Sequence, residues 1–576
     1  MSAADWPAIG TVVGETSTAE FTFVLQSYKS GVGDIVAVPM QVPSDDYSQR
    51  LDIIAWGRVT SIERYNPFFP YEAAQELTEQ NMRLVDTVLS ATRDQLEATV
   101  TVLGFTGVRG DQDRDLYPLT YPIPPAAQVC YPPADAIRRL LSGGLRGQTP
   151  LGIGTLIART DVEVAVSAEK IASRHLAIMA MTGGGKTVAA RRILRELIEI
   201  GYPVVILDPH GDYLGLWEKK DRFPYTRVRL FYPHIVMTTE NRRIVETLIA
   251  KMTVGLTEAQ QELMTWLLSE IDPRDGEAIL EYIERLVTVV TSLQNRNEVE
   301  ARGAPKVQVP TARAVRRSLS LVRERLQRMD TSNRRLRTIL SDLDFEALPD
   351  PQGAPEEIVR PWQVSILYLG GYDHLTQSTI VSILLEALFS HRAELTDKIP
   401  PFLAVIEEAH NFVPSLREGT EETPSLATVR KVITEGRKFG VGLILITQRP
   451  SRVDETVLAQ CNSFLVMRLV NPKDQQYVRT VMENLPESDA RMLSAFGPGQ
   501  GIISGQAVRF PLLVKISYDE DLVSARTGDE NFIQRARDWH ETSGFRSRAR
   551  AAEASKRLRQ LPSRRKRVQT GRDPAE

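Results

Sequence analysis

The chain has 576 residues, with 70 Lys or Arg against 73 Asp or Glu, and it is 42% hydrophobic and 25% charged. This composition is typical of a globular protein and excludes both a fibrous repeat and a chain that is disordered throughout. The length predicts three or four compact domains.

The cysteine content and the apolar stretches bear on the cellular compartment. Cys130 and Cys461 are too few for a disulfide framework or a Cys-rich zinc site, which favours a reducing cytosol. Residues 1–10 have neither the basic nor the apolar region of a signal peptide. The longest apolar stretches are strand-sized, far below the roughly 20 residues of a membrane helix. We therefore expect a cytoplasmic protein without a membrane partner.

The first 160 residues contain short apolar runs that are separated by turn residues. Such runs without alternating helices predict a small antiparallel barrel or sandwich. A helical segment at 71–91 interrupts them. The predicted strands are 20–25, 34–39, 52–62, 97–105 and 153–157.

A strand, glycine turn, helix and strand follow in order from residue 174, which is the pattern of a βαβ unit. Repetition of buried-looking runs predicts an α/β core with a predominantly parallel sheet, formed by residues 161–213 and 351–515. The predicted core strands are 175–180, 203–207, 364–369, 402–406, 442–447 and 464–469.

Residues 214–350 read as an inserted helical subdomain. Thr257 and Gln260 form a capping-box pattern, and a long helix follows with an apolar stripe. Its other side carries six arginines, which form either a solvated, salt-bridged face or a contact for a polyanion. The stripe consists of Val315, Leu319, Val322, Leu326 and Met329, and the arginines are Arg313, Arg316, Arg317, Arg323, Arg325 and Arg328.

Residues 180–187 match the phosphate-binding loop G-x-x-x-x-G-K-[ST], except that Ala180 replaces the first glycine. The glycines allow consecutive N–H groups to face a polyphosphate at the N-terminus of the next helix. We expect Lys186 to reach the β- and γ-phosphates and Thr187 to ligate Mg²⁺. The predicted nucleotide-binding residues are Thr182, Gly183, Gly184, Gly185, Lys186, Thr187 and Val188.

An apolar strand at 402–406 leads directly into two acidic residues. We assign Glu407 to the Mg²⁺ side of the site and Glu408 to polarising the attacking water. At the end of the next strand, Gln448 is either a sensor of the γ-phosphate or part of the turn before Pro450.

Hydrolysis also benefits from a cation that stabilises transition-state charge. Arg174 and Arg437 are the candidates for this catalytic role, either of which could act across a subunit boundary or be a surface charge at the end of an element.

The C-terminal extension, residues 516–576, ends in a basic segment at 546–572 with eleven Lys or Arg and a single acid, Glu553. It lacks an apolar stripe, and we expect it to be poorly ordered. Three roles remain open: tethering of nucleic acid, docking on an acidic partner or neighbouring subunit, and solvation alone.

Taken together, these segments resemble the HerA family of hexameric DNA translocases, which is related to FtsK-type DNA pumps. The resemblance covers most of residues 170–510. It is carried by 174–178, 208–213, 407–412 and 435–449, and continues to 450–451, 457–458 and 460–462. Two positions depart from the family pattern, Ala180 and Asp212, and Asp212 leaves open whether 208–213 is more than a capped turn.

The resemblance implies a RecA-like P-loop ATPase core, a HAS-like N-terminal barrel, and a homo-hexameric ring around double-stranded DNA. It also implies ATP sites between subunits, with Arg174 and Arg437 as the matching arginines donated in trans. Partners implied by the family are a NurA-like nuclease or another effector encoded nearby, in DNA repair or antiphage defence. Loops around 411–430 are expected to grip the duplex.

The resulting hypothesis is an ATP-hydrolysing motor that translocates on duplex DNA and can act as a helicase. One alternative is a conjugation-type or protein-threading pump, which the lack of an evident membrane anchor disfavours. Another is an ATP-binding ring scaffold that recruits and activates an effector, with DNA pumping secondary. The intact set of Lys186, Thr187, Glu408 and Gln448 weighs against pure scaffolding.

Overall fold

The computed structural model describes residues 5–26, 29–43, 49–65, 95–107, 115–235, 237–239, 241–253, 255–274, 276–293, 308–339, 344–394, 398–416, 422–482, 485–523 and 533. Residues Met1–Leu522 form one compact unit. The helix predicted at 71–91, part of the expected DNA-gripping loop (417–421) and the basic segment at 546–572 lie outside the described residues.

The N-terminal strands close into an antiparallel barrel in the order β1-β2-β5-β4-β3-β6. Burial alternates along β2, so that Phe21, Phe23 and Leu25 point inward, as expected for a half-buried strand. The prediction of a small barrel is confirmed. Its strands are β1 (Ala8–Val13), β2 (Glu20–Leu25), β3 (Ile35–Pro43), β4 (Arg50–Tyr65), β5 (Gln95–Gly107) and β6 (Gln128–Cys130).

The remaining strands form a twelve-stranded sheet in the order β12-β11-β13-β10-β14-β15-β9-β16-β17-β18-β7-β8. The segment from β12 to β16 is parallel, and the four strands after β16 pair antiparallel. The strands are β7 (Pro150–Leu156), β8 (Glu163–Ser167), β9 (Leu176–Met179), β10 (Val204–Asp208), β11 (Arg227–Tyr232), β12 (Glu346–Ala347), β13 (Gln363–Tyr368), β14 (Phe402–Ile406), β15 (Val441–Thr447), β16 (Ser463–Met467), β17 (Gln500–Gly505) and β18 (Leu512–Ile516).

Helices cover this sheet, which explains why β9, β14, β15 and β16 are buried along their whole length. The predicted α/β fold with a predominantly parallel sheet is therefore confirmed. The helices are α1 (Ala134–Gly143), α2 (Ala168–Arg174), α3 (Lys186–Glu199), α4 (Leu214–Glu218), α5 (Ile244–Met252), α6 (Glu258–Glu270), α7 (Ile279–Ser292), α8 (Val309–Ile339), α9 (His374–Ala393), α10 (Pro424–Phe439), α11 (Glu455–Ala459), α12 (Pro472–Val481) and α13 (Glu487–Met492).

The run predicted at 153–157 belongs largely to β7, which joins the large sheet through β18 rather than the barrel. Periodicity identifies a strand but not its neighbour, so the sequence did not reveal this pairing. The domain boundaries at 160, 213, 350 and 515 stay predictions.

The helical insertion contains α5 to α8 between β11 and β12. The capping box of Thr257 and Gln260 is present at the start of α6, and the predicted apolar stripe of α8 is buried. On its other side, Arg328 is exposed and pairs with Glu324 one turn away. This pair agrees with the salt-bridged alternative for that part of the arginine face. Within the described part of the chain, no helix is both long and apolar enough to cross a membrane.

A buried ion pair joins the barrel to the sheet domain. Arg58 on β4 donates from Nη2 to Oδ2 of Asp489 on α13 at 2.6 Å, and both side chains are at most 3% exposed. The chain positions differ by 431, so tertiary folding alone brings these charges together. Removing one partner of such a pair leaves the other charge buried without compensation.

We predict that Asp489→Ala lowers the free energy of unfolding by about 3–5 kcal/mol, the usual cost of stranding a buried charge. Glu487→Ala, on the same helix, is the matched control, because the side chains of its pair with Arg491 are 63% and 77% exposed. It should cost no more than about 0.5 kcal/mol. Urea unfolding of both variants checks this, and equal midpoint shifts would contradict it.

Candidate functional site

The site begins at the glycine loop between β9 and α3. Gly183 and Gly185 have φ values of 77° and 103°, which favour glycine. A Cβ on Gly185 would lie 2.9 Å from Met467 Cε of β16 and 3.0 Å from the backbone nitrogen of Gly499, just before β17, so a side chain there would collide with its surroundings. Ala180, the departure from the motif, is fully buried, and its N–H donates to the Thr447 carbonyl at 3.2 Å. The turn therefore forms without the first glycine.

Neighbouring backbone groups hold the loop in place. Met181 N–H donates to the Arg468 carbonyl at 2.9 Å, and Gly184 N–H donates to the Met181 carbonyl at 2.9 Å. The first turn of α3 has no acidic side chain to oppose its positive end. A polyphosphate fits this combination of glycine cradle and helix N-terminus. Thr187 and Val188 are half-buried in the same turn, and Thr182 is exposed at the rim.

Lys186 lies between the two acidic residues that follow β14. Its Nζ is 2.6 Å from Glu407 Oε1 and 2.9 Å from Glu408 Oε1, and the lysine side chain is only 11% exposed. Burial by itself would lower the pKa of Lys186, but the attraction of Glu407 and Glu408 outweighs it and raises the pKa. The lysine is therefore held as a cation.

The two carboxylates occupy different surroundings. Glu407 is fully buried, and burial raises its pKa to about 7, although Lys186 opposes the rise. Glu408 has a left-handed backbone with φ 51°, which is unusual for a residue other than glycine. Among the described residues, no donor hydrogen-bonds to Glu408 Oε2. This oxygen is buried, and His410 Nδ1 lies 3.3 Å from it without a hydrogen bond. A carboxylate oxygen of this kind can accept a proton from a water molecule that reaches it.

Tyr213 is a site residue that the sequence did not single out. It is fully buried, and its hydroxyl donates to Glu407 Oε2 at 2.7 Å. Asp208, at the end of β10, positions it by accepting the N–H of Tyr213 at 3.0 Å and that of Gly211 at 2.7 Å. Burial raises the pKa of Asp208 to about 6. Segment 208–213 is thus a capped turn that also carries a partner of Glu407; its place after a buried strand and its share in the family resemblance marked the segment, but neither marked Tyr213 itself.

Gln448 lies at the carboxyl end of β15, between β14 and β9 in the sheet. Thr182 Oγ1 donates to its Oε1, so the amide contacts the rim of the glycine loop. His410 also borders the acids, with Nδ1 3.3 Å from Glu408 Oε2. Burial lowers the pKa of His410, with Glu408 opposing, which favours the neutral ring. Lys186, Glu407, Glu408 and Gln448 therefore meet at one edge of the sheet.

The two candidate arginines lie elsewhere. Arg174 is the last residue of α2, before β9 begins, and Arg437 is exposed in the last turn of α10, before β15 begins. Lys186 and Glu408 follow the carboxyl ends of parallel strands, whereas the arginines precede amino ends. They are at the opposite edge of the sheet and do not join the cluster around Lys186 of their own chain.

The family described as "Helicase HerA, central domain" matches residues 151–388. The chain is 27% identical over 464 residues to the DNA double-strand break repair helicase HerA of Pyrococcus furiosus, across 73% of this chain and 78% of that relative. It is 25% identical over 556 residues to a probable helicase of Methanocaldococcus jannaschii, across 92% and 95%. Among solved structures, VirB4 of Thermoanaerobacter pseudethanolicus is similar with a TM-score of 0.42 and 16% identity, across 65% of this chain and 98% of that one.

We predict that Tyr213→Phe weakens Mg²⁺-dependent ATP hydrolysis, because it leaves buried Glu407 Oε2 without its hydrogen-bond donor. Leaving a buried polar group unsatisfied costs about 1–3 kcal/mol. The rate should need more Mg²⁺ to reach half of its maximum. Tyr372→Phe is the matched control, since this buried hydroxyl donates to Asn333 instead. Hydrolysis across a Mg²⁺ titration is the measurement, and identical titrations for both variants would contradict the role of Tyr213.

Proposed function

Because this chain belongs to the HerA helicase family, we propose that it is an ATP-driven motor that moves along double-stranded DNA as a ring of six subunits. Its proposed task is DNA end processing with a NurA-like nuclease, or antiphage defence with another effector. The observation that carries the motor chemistry is Lys186, held at the glycine loop between Glu407 and Glu408.

The nucleotide is proposed to lie along residues 182–188, with its phosphates at the N-terminus of α3. Thr187 and Glu407 supply the hard oxygen donors that Mg²⁺ prefers, and Tyr213 holds the Glu407 carboxylate in place. Bound Mg²⁺ would neutralise phosphate charge during transfer to water. We assign no other cofactor to the site.

Glu408 is the proposed general base. Its Oε1 is paired with Lys186, while Oε2 accepts no hydrogen bond from the described residues. One ammonium group cannot fully compensate two carboxylates and a polyphosphate. We therefore expect Lys186 to turn toward the phosphates when nucleotide binds, which leaves Glu408 to polarise water. Gln448 is proposed to contact the γ-phosphate and to link its presence to β15 and, through the hydrogen bond with Thr182, to the glycine loop.

Arg174 and Arg437 are proposed to serve the ATP site of a neighbouring subunit. Both lie at the amino edge of the sheet, away from Lys186 of their own chain. An arginine that reaches the terminal phosphate in trans stabilises transition-state charge and makes hydrolysis depend on assembly. This requirement is what supports a ring rather than a lone subunit.

We predict that linear duplex DNA raises the rate of ATP hydrolysis. Lys186→Ala and Glu408→Gln should lower that rate by at least about 10²-fold, because each removes a group that acts in the transition state. Glu394→Gln is the control, since its side chain is 52% exposed at the end of α9. Phosphate release with and without DNA is the measurement. Equal rates with and without DNA, over a range of salt concentrations, would favour the ring scaffold over the motor.

We further predict that Arg174→Ala keeps nucleotide binding but loses about 10³- to 10⁵-fold in hydrolysis, the usual contribution of an arginine finger. Mixing it with Glu408→Gln subunits should restore hydrolysis, since the second variant still donates Arg174 to intact neighbouring sites. Nucleotide binding by fluorescence and phosphate release from mixed assemblies check this. Failure to restore activity at every mixing ratio argues against donation in trans.

A further inference from the structure

His175, between α2 and β9, has an unusual backbone. Its φ is 58° and its ψ is 144°, a combination that residues other than glycine rarely adopt. Such a conformation is strained and persists only where surrounding contacts impose it. The side chain is 3% exposed, so the contacts responsible are inside the protein.

The imidazole of His175 joins three elements. Its Nδ1 accepts the backbone N–H of Leu443 on β15 at 3.0 Å, and the ring also hydrogen-bonds the backbone of Ile433 on α10. Burial lowers the pKa of His175 to about 4, so the ring is neutral near pH 7. Because Nδ1 is an acceptor, the proton is on Nε2, the nitrogen left for Ile433.

The backbones of the elements around His175 lie in direct contact. A Cβ on Gly442 of β15 would lie 2.1 Å from the Ala172 carbonyl oxygen of α2. A Cβ on Gly436 of α10 would lie 2.6 Å from the Val441 carbonyl oxygen. The backbones of α2 and α10 therefore contact the backbone of β15 directly, with no side chain between them that could move aside.

The two candidate trans arginines are close in the chain to the residues that His175 joins. Arg174 immediately precedes His175, and its carbonyl accepts the N–H of Asn462 at 3.0 Å. Arg437 is one helical turn beyond Ile433 on α10. The imidazole thus ties together the backbone origins of both arginines at the amino edge of the sheet.

We propose that His175 is a positioning residue that sets Arg174 and Arg437 in the places from which they reach a neighbouring subunit's ATP site. The long arginine side chains lose conformational freedom when they engage a phosphate, and fixing their backbones limits that loss. A displacement of 1 Å in a catalytic group can cost about 10²-fold in rate. This inference rests on the proposed donation in trans.

The test uses full-length His175→Gly, which accepts the backbone conformation but removes the imidazole, and His175→Asn, which tolerates positive φ and keeps an acceptor oxygen. For His175→Gly we expect kcat to fall about 10- to 10²-fold, the scale of a misplaced catalytic group, with nucleotide affinity nearly unchanged. His175→Asn should recover part of kcat. A loss of nucleotide affinity that matches the fall in kcat would instead show that His175 acts on its own loop through β9, and would overturn the proposal.

Subunit mixing separates the two hypotheses. His175→Gly subunits keep an intact ATP site, and Glu408→Gln subunits keep intact arginines, so assemblies of the two should regain hydrolysis. Mixtures of Lys186→Ala and Glu408→Gln contain no intact site and give the background. If Glu408→Gln subunits restore the hydrolysis of Arg174→Ala but not that of His175→Gly, the role of His175 is overturned and donation in trans still stands. Restoration of neither would overturn both.

Melting temperatures of the variants show whether a loss of activity comes from a folding defect. If His175→Gly melts far below the unaltered protein, the comparison uses His175→Asn. For this variant we expect a smaller fall in kcat, and we expect Glu408→Gln subunits to restore its hydrolysis. His175→Ala is then added, because its side chain makes no hydrogen bond. If His175→Asn and His175→Ala are both well folded and fully active, the proposal is overturned, because no hydrogen bond from this position is needed.

Discussion

The buried contact of Lys186 with Glu407 and Glu408 is the interaction on which the rest of the site depends. The three residues come from the turns after β9 and β14, and β15 lies between these strands. The strand register sets this placement: Ile406, the last residue of β14, is level with Leu445 of β15 and Ala177 of β9. Three buried parallel strands achieve this through backbone ladders, which leave little freedom for one strand to slide past another. Sheet register thus places the residues of the proposed catalytic site.

Under the proposed donation in trans, the two edges of the sheet carry complementary chemistry. The carboxyl edge holds the glycine loop, the acids and Gln448, while the amino edge holds Arg174, His175 and Arg437. A single subunit cannot bring its own two edges together, because β9 lies between them. An assembly that stacks the amino edge of one subunit on the carboxyl edge of the next would complete each site, and hydrolysis would then be coupled to the neighbour.

The barrel is connected to the same machinery by a short series of contacts. Arg58 of the barrel pairs with Asp489 on α13, and the carbonyl of Leu493, just after that helix, accepts the N–H of Leu469. The adjacent carbonyl of Arg468 accepts the N–H of Met181 in the glycine loop. The buried ion pair is therefore connected to the glycine loop through α13 and two backbone hydrogen bonds.

The sequence by itself determined the local features: the glycine loop with Lys186 and Thr187, the capping box at Thr257, the apolar stripe of α8 and the buried strands of the core. Each depends on residues within a few turns of one another, so spacing encodes it directly. Only the tertiary structure decided that β7 joins the large sheet, that Tyr213 holds Glu407, that Arg58 meets Asp489 and that His175 ties α10 to β15. These contacts depend on strand order and on packing between segments far apart in the chain, which periodicity does not record.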